Sequence, residues 1–249
     1  MTSTTHVFAR IVAATLASIS IAASIAAQDG STRPAPTPAA RDVAAKIGET
    51  PATLGWYRSP AIRGDVIVFV SEGDLWRVGP SGGSAMRLTT HAGEEGEPSI
   101  SPDGATVAFI ASYEGPSEVY TMPIDGGLPR RRTFDAARVA TTGWTPDGRL
   151  VYASTALATL PSTRTFVHDL ATDERELVPL AQCADAAFLD ANRIVFTRLR
   201  FQGSHTDRYV GGTAQQLWSF TIPAAGVRGD EAVLRTGDYA GTSRRPLVH

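Results

Sequence analysis

The chain repeats one unit four times between residues 60 and 222. The clearest sign is a Ser-Pro-Asp-Gly turn at residues 101–104 that returns as Thr-Pro-Asp-Gly at residues 145–148. A repeat of about 40 to 45 residues, with Asp-Gly turns and no helical periodicity, is typical of β-propeller blades. The repeat therefore predicts an all-β fold before any single residue suggests a function.

Two anchors return in step in every unit. The turn near the start of each unit contains an aspartate: Asp65, Asp103, Asp147 and Asp190. Successive aspartates are therefore 38, 44 and 43 residues apart. The second anchor is a triplet containing aromatic or apolar residues, at 74–76, 118–120, 165–167 and 216–218. Two independent anchors in register indicate a true structural repeat.

The segments around the anchors predict a four-stranded blade. Apolar runs such as residues 66–70 and 107–110 are typical of strands buried on both faces. A Pro/Gly turn such as residues 123–127 then leads to a polar outer strand such as residues 129–133, which suits a sheet edge. The expected WD40-like blades span about residues 60–90, 97–133, 140–178 and 185–236, and a fifth begins at 240–249.

This length predicts an incomplete ring. At about 44 residues per blade, Pro60 to His249 holds four blades and the start of a fifth, fewer than a six- or seven-bladed ring needs. We therefore expect a partial propeller in the form of an open arc. The last blade of such an arc lacks a neighbour, so aggregation or marginal stability is expected of the isolated chain.

The N-terminal residues predict export. Residues 11–27 carry no charge, follow Arg10 and end in small residues, as a secretory signal does. We expect a signal peptide at 1–27, a Pro/Ala-rich linker at 28–53 and the folded part at 54–249. A retained membrane anchor is the alternative. The lone Cys183 excludes an intrachain disulfide, and this fits a periplasmic or secreted protein without a disulfide framework.

Composition limits the partners. The net charge is -2 and the basic residues are dispersed, so no nucleic acid is expected, and no membrane contact once the signal is cleaved. Phosphate-binding loops, EF-hand loops and zinc-type cysteine clusters are absent from the sequence, so no cofactor is indicated. His91, His168 and His205 are scattered and have no partner at ligand spacing, so no metal is expected.

Four local segments point to a family. Residues 55–60 (Gly-Trp-Tyr-Arg-Ser-Pro), 64–76, 143–148 and 208–218 resemble the N-terminal propeller of tricorn-type proteases. The resemblance covers residues 54–249. It implies a six-bladed propeller that is followed, in such proteins, by a second propeller, a PDZ-like domain and a serine peptidase core that cleaves short peptides. It also implies a homo-oligomeric parent.

The expected function is non-catalytic. None of the family's catalytic residues has a counterpart in this sequence, so the resemblance implies a propeller segment of an exported tricorn-like peptidase that binds peptides or gates their access. Two alternatives stay open. One is a stand-alone TolB-like propeller that binds protein partners, and the other is the propeller of a prolyl-oligopeptidase-like hydrolase.

Candidate binding residues come from two charged clusters. Glu94, Glu95 and Glu97 precede the innermost strand of the second blade and could ring a channel mouth. Arginines near the connection into the third blade could grip a peptide carboxylate, because a guanidinium matches its geometry. The resemblance supports this role, and the candidates are Arg131, Arg132 and Arg138.

One apparent catalytic motif is rejected. Residues 79–83 satisfy the letters of a G-x-S-x-G nucleophile elbow. Such an elbow requires a strand-to-helix turn, whereas both flanks here are predicted strands. The repeat equivalent at residues 123–127 has no serine, so the motif is interpreted as a hairpin turn.

Overall fold

The computed structural model describes residues 55–158, 162–200, 211, 214–239 and 241–247. This part of the chain is all-β, and it contains no helix that could cross a membrane. The proposed signal peptide (1–27), the linker (28–53) and His205 lie outside the described residues. The statements made of those segments therefore remain predictions.

Sixteen strands in the described part form four antiparallel sheets, each with its strands in chain order. Blade 1 comprises β1 (Tyr57–Arg63), β2 (Val66–Ser71), β3 (Asp74–Val78) and β4 (Met86–Arg87). Blade 2 comprises β5 (Glu95–Ile100), β6 (Thr106–Ala111), β7 (Glu118–Pro123) and β8 (Arg130–Arg131). Blade 3 comprises β9 (Val139–Trp144), β10 (Leu150–Ser154), β11 (Arg164–His168) and β12 (Arg175–Leu177). Blade 4 comprises β13 (Ala186–Phe188), β14 (Arg193–Thr197), β15 (Leu217–Thr221) and β16 (Val233–Leu234). The predicted fold class, a partial propeller with an open arc of four four-stranded blades, is confirmed.

Each blade pairs two aromatic side chains across its second and third strands. The pairs are Phe69 with Trp76, Phe109 with Tyr120, Tyr152 with Phe166, and Phe196 with Trp218. Directly opposed aromatic residues stabilise an antiparallel pair. The pairs also correct the third anchor, which is residues 164–166 and not 165–167. Phe166 and Val167 are both buried, so the alternation of buried and exposed residues that would reveal the register is missing here.

The two faces of a blade differ, and neighbouring blades use them in a fixed order. The face that carries the aromatic pair is called the backward face, and the opposite one is the forward face. In the first two interfaces, Val68 and Val70 of blade 1 pack with Phe109 of blade 2, and Ala108 of blade 2 packs with Tyr152 of blade 3. Between blades 3 and 4 the pattern repeats, with Val151 and Val167 packing with Phe196. Every internal interface thus joins a forward face to the backward face of the next blade.

The first strand of each blade lies nearest the shared axis. Strands β1, β5, β9 and β13 contact the first strands of their neighbours. Hydrogen bonds join two of them, since Trp144 Nε1 donates to the Ser99 carbonyl at 3.2 Å and Thr141 Oγ1 donates to the Glu97 carbonyl. The fourth strands are short, and most of their residues are exposed. Polar side chains at the ends of β5, β9 and β13 can therefore converge.

The outer strand of three blades is fastened by a threonine. The hydroxyl oxygens of Thr89, Thr133 and Thr236 accept hydrogen bonds from the backbone N–H groups of the third strands, at 2.9, 2.8 and 3.0 Å. These bonds satisfy backbone N–H groups where the outer strand ends, and the N–H of Leu75 donates to Glu95 Oε2 as well. They recur at one repeat position, so they belong to the construction of the blade and not to a ligand site.

Candidate axial site

Arg131 lies in the outermost strand β8 and is already fully engaged. Its Nη1 pairs with Glu114 at 2.8 Å, its Nη2 with the buried Glu118 at 3.1 Å, and its Nε donates to the Thr133 carbonyl at 2.9 Å. The guanidinium also stacks over the Phe134 ring at 4.5 Å. These contacts use every nitrogen of the fork, so Arg131 fastens the outer edge of blade 2. Its contact with a peptide stays an untested prediction.

Arg132 and Arg138 lie in different places. The Arg132 Nε donates to Thr121 Oγ1 at 2.7 Å, and burial together with the nearby charge of Arg130 lowers the pKa of Arg132. Arg138 is exposed just before the innermost strand β9, and its backbone N–H donates to Thr155 Oγ1 at 3.1 Å. The structure therefore does not bring Arg131, Arg132 and Arg138 together, and only Arg138 lies on the axial side.

The three predicted glutamates also separate. Glu94 is exposed, whereas Glu95 is buried and accepts hydrogen bonds from Leu75 N at 2.9 Å, Thr89 Oγ1 and Tyr113 Oη. Burial raises the pKa of Glu95, and these hydrogen bonds oppose the rise. Glu95 therefore joins blades 1 and 2 as a structural carboxylate. Glu97 remains as the candidate for the channel.

Glu97 occupies an irregular point of the inner strand β5. The register of β5 shifts between Gly96 and Ser99, and Glu97 has a left-handed φ of 48°. Ser59 has the same φ of 48° beside the equivalent register shift of β1, so the bulge is a feature of the repeat, and blade 2 differs by placing a carboxylate there. The side-chain Oε2 is buried and has no hydrogen-bond partner among the described residues. The bulge therefore places an unpaired carboxylate oxygen beside the axis.

The charges of two arginines and an aspartate from distant parts of the chain act on Glu97. Burial raises the pKa of Glu97, the charges of Arg200 and Arg245 oppose that rise, and the charge of Asp185 adds to it. Arg200 follows β14, and its Nη1 is likewise buried without a partner in the described part. Burial and the like charge of Arg138 lower the pKa of Arg200. We name this group the axial site: Glu97, Arg138, Asp185, Arg200 and Arg245.

The elements that hold the axial site explain its location. Glu97 lies in β5, Arg138 directly precedes β9, and Asp185 directly precedes β13. Arg245 lies in the segment 241–247, which is tied to blade 4 because Ser243 N donates to the Gln215 carbonyl at 2.9 Å. Three inner strands and the segment that follows blade 4 thus contribute to one location.

The axial site combines three guanidinium groups with two carboxylates. A guanidinium can hold a carboxylate through two parallel hydrogen bonds, and a carboxylate can hold an ammonium group. Unpartnered buried polar atoms on Glu97 and Arg200 are atoms that a ligand could satisfy. The site is therefore suited to a small zwitterionic or anionic group.

The other predicted motifs have structural positions. Residues 79–83 form the β3–β4 hairpin, where Gly82 N donates to the Gly79 carbonyl at 3.0 Å, so the nucleophile elbow is excluded as predicted. His168 is buried beside Asp173, and Cys183 is buried, which raises the pKa of its thiol to about 12. Within the described ranges, no group of three His, Cys, Asp or Glu side chains could hold a metal ion.

A second concavity lies between blades 3 and 4. It has a volume of about 500 Å³ and is lined by Leu180, Phe196 and Trp218 together with Arg164 and Arg198. The Arg198 guanidinium stacks on Trp218 at 5.7 Å and donates to Gln182 Oε1 at 2.7 Å. This blade 3–4 cleft is more apolar than the axial site and provides an alternative location for a ligand.

Sequence reasoning missed Asp185, Arg200 and Arg245. They are far apart in the chain, and none stands in a recognisable motif. Their proximity to Glu97 arises only when the blades are arranged around an axis. The signal that could have found Asp185 is its position directly before a first strand, which it shares with the predicted Arg138.

Comparison with known protein families shows which family this propeller belongs to. The family described as the Tricorn protease N-terminal beta propeller domain matches residues 55–241. The chain belongs to this family. A tricorn protease homolog 1 of Streptomyces coelicolor is 31% identical over 170 residues, which are 68% of this chain and 16% of that protein. The chain therefore spans about one sixth of the length of this tricorn relative.

A shorter relative matches along most of its length. A protein of Sulfurisphaera tokodaii, described as a candidate Tricorn-like protease N-terminal subunit, is 24% identical over 164 residues. The match covers 64% of this chain and 83% of that relative. The matched segment therefore makes up most of this relative, whereas it is a small part of the Streptomyces protein.

Solved structures share the architecture. The crystal structure of the tricorn protease superposes with a TM-score of 0.64 at 21% identity, covering 78% of this chain and 19% of the other. A TolB of Agrobacterium tumefaciens superposes with a TM-score of 0.56 at 23% identity, covering 71% and 62%. At these identities the two structures show a shared propeller fold and nothing about activity.

Proposed function

We propose that this chain is a non-catalytic, peptide-binding propeller segment of an exported tricorn-like serine peptidase. The observation that carries the proposal is the axial site, where the unpartnered Nη1 of Arg200 lies in the same charged group as the unpartnered Oε2 of Glu97. Membership of the tricorn propeller family supplies the peptidase context. The uncharged residues 11–27 support export.

The charges suggest how a peptide would be held. Arg138, Arg200 and Arg245 would donate hydrogen bonds to the terminal carboxylate, while Glu97 would attract the ammonium group at the other end or a basic side chain. Each hydrogen bond to a charged group contributes about 1.5 to 3 kcal/mol. A site that carries both positive and negative charges near the axis would select short peptides by their termini and hold them where the inner strands meet.

Hydrolysis would require a further chain or domain. Ser81, the serine of the apparent nucleophile motif, belongs to a hairpin, and the buried His168 pairs with Asp173. The Sulfurisphaera relative, named as an N-terminal subunit, supports a role as a separate binding subunit. The role proposed for this chain is therefore to bind peptides and control their access.

The test is a calorimetric titration of the purified chain with a tetrapeptide, once as the free acid and once as the C-terminal amide. We expect the free acid to bind more tightly and Arg200→Gln to weaken its binding about 10- to 100-fold, with little effect on the amide. Arg130→Gln is the matched control, because Arg130 is exposed on the outer strand β8. Equal affinity for acid and amide, or a larger loss in Arg131→Gln than in Arg200→Gln, would refute the axial assignment.

A further inference from the structure

The aromatic pair of blade 4 is less closely covered than the pairs of blades 2 and 3. In blades 2 and 3 the ring centroids of the pair lie 6.0 and 5.2 Å apart, and all four rings are buried. In blade 4 Phe196 is buried, whereas Trp218 is only partly buried and lines the blade 3–4 cleft. The cleft lies inside the arc, with a blade on each side. A large aromatic side chain is therefore accessible to a ligand at this interface.

In blade 2 a tyrosine of the chain itself fills the corresponding space. Tyr113 stands four residues after the first member of the aromatic pair, and its ring lies 4.7 Å from that of Tyr120. His91, in the connection that leads into blade 2, packs on the same ring at 4.0 Å. Blade 4 has Arg200 at this repeat position, and Arg200 belongs to the axial site. The cleft lies between the equivalent walls, the aromatic pair and the connection at residues 180–182, so its shape suits an aromatic ring.

The cleft also carries positive charge. Arg198 stands two residues after the first member of the aromatic pair, where blades 2 and 3 have Ala111 and Ser154. Its Nε and Nη2 donate to the neutral Gln182 Oε1 at 3.2 and 2.7 Å, and its guanidinium lies over Trp218 at 5.7 Å. None of the described residues that line the cleft is acidic. The charge of Arg198 is therefore not balanced within the lining.

Arg164 adds a second guanidinium to the lining. It is the first residue of the third strand of its blade, as Asp74 is in blade 1 and Glu118 in blade 2. Those two carboxylates pair with Arg87 and Arg131 of the outer strands. The Arg164 Nε, by contrast, is buried and has no hydrogen-bond partner among the described residues. A buried donor without an acceptor is costly, so an oxygen supplied by a ligand would stabilise it.

We propose that the blade 3–4 cleft binds a small aromatic acid that has no ammonium group. The ring packs against the aromatic pair of blade 4, at the place that Tyr113 fills in blade 2, and the carboxylate accepts hydrogen bonds from Arg164 and Arg198. The volume of about 500 Å³ is that of a small-molecule site. An ammonium group is disfavoured because two guanidinium groups and no described carboxylate line the cleft, whereas the axial site contains Glu97. This second site is independent of the axial site and of its peptide-binding role.

Three small molecules of similar shape test the proposal: phenylpropionate, its neutral amide, and phenylalanine, which adds the ammonium group. Two-dimensional NMR of the isotope-labelled chain follows the indole N–H signal of Trp218, which is one of four tryptophans and is identified by its loss in Trp218→Phe. Phenylpropionate should bind with a dissociation constant of about 1 mM. The amide and phenylalanine should bind about 10-fold more weakly, because the amide lacks the negative charge and phenylalanine brings an ammonium group to the two arginines.

Arginine variants locate the carboxylate. Arg198→Gln and Arg164→Gln should each weaken phenylpropionate binding about 10-fold and leave binding of the amide nearly unchanged. Arg193→Gln is the matched control, because Arg193 lies in the same strand β14, pairs with Asp190 and does not line the cleft. Arg200→Gln should also leave phenylpropionate binding unchanged, which separates this site from the axial site.

Circular dichroism checks that the variants fold, and the exposed Arg198 decides the outcome if Arg164→Gln does not. Four results overturn the proposal. They are a Trp218 signal that does not move at about 10 mM phenylpropionate, equal affinity for the acid and its amide, phenylalanine binding as tightly as phenylpropionate, and a loss in Arg193→Gln as large as that in Arg198→Gln.

Discussion

Replacing Glu118 by alanine should destabilise the chain by about 3 to 5 kcal/mol, the cost of removing one partner from a buried ion pair. The Glu118 side chain is 1% exposed and pairs with Arg131 Nη2 at 3.1 Å. It also accepts hydrogen bonds from Ala136 N at 2.9 Å, Asp135 N at 3.3 Å and the Thr133 hydroxyl. All four donors lose their acceptor in the alanine variant.

The magnitude follows from the number of orphaned donors. A buried donor left without an acceptor costs about 1 to 3 kcal/mol, so two backbone N–H groups and a hydroxyl give a gross cost of about 3 to 9 kcal/mol. Water that enters the space left by the side chain can accept some of these hydrogen bonds, which lowers the net cost toward the expected value of about 3 to 5 kcal/mol. Glu118→Gln keeps the volume and one acceptor oxygen, so it should cost less than Glu118→Ala.

The chain supplies a matched control for this prediction. Glu114 pairs with the same arginine at 2.8 Å, but its side chain is 66% exposed. An exposed ion pair contributes at most about 1 kcal/mol, so Glu114→Ala should change stability by less than that. Urea unfolding, followed by fluorescence and circular dichroism, measures both variants against the wild type. If the loss of unfolding free energy in Glu118→Ala were within about 1 kcal/mol of the loss in Glu114→Ala, the conclusion that the Glu118–Arg131 pair fastens the outer edge of blade 2 would be wrong.

Three further predictions concern the core, the axis and pH. Phe109→Ala should cost about 3 to 5 kcal/mol in urea unfolding because Phe109 is fully buried between blades 1 and 2, whereas Phe134→Ala, 71% exposed, should cost far less; similar losses would contradict the interface. Thr141→Val should weaken the contact between β5 and β9, and a thermal midpoint unchanged from wild type would count against the hydrogen bond from its hydroxyl to the Glu97 carbonyl. Burial raises the pKa of Glu97, so the folded state binds this proton more tightly than the unfolded state, and this contribution to stability is lost as pH rises from 4.5 through the folded pKa. Glu97→Gln should therefore flatten the fall in unfolding free energy over that window, and identical pH profiles for both proteins would exclude the effect.

The fold was predictable because the repeat is encoded locally. Asp-Gly turns mark each hairpin, and runs such as Val107 to Ile110 are apolar on both faces because a blade has a neighbour on each side. The strand register of blade 3 was harder to predict from the sequence. Phe166 and Val167 face different neighbouring blades, and both are buried, so the alternation of apolar and polar residues that normally reveals register is missing.

The site was only partly predictable. Arg131 was expected to contact a peptide, but its pairing with Glu118 repeats the pairing of Arg87 with Asp74, at the same separation of 13 residues. Comparing the first two repeats could have revealed this structural role. By contrast, nothing local links Arg200 or Arg245 to Glu97, because their proximity depends on how far the arc turns around its axis.

A crystal structure of the chain with a bound free-acid tetrapeptide tests the central claim most directly, because it locates the terminal carboxylate. The account predicts that this carboxylate lies within hydrogen-bonding distance of Arg200, with Glu97 on the same axial face. A peptide seated in the blade 3–4 cleft beside Arg198 and Trp218, or along the outer strand at Arg131, would contradict it.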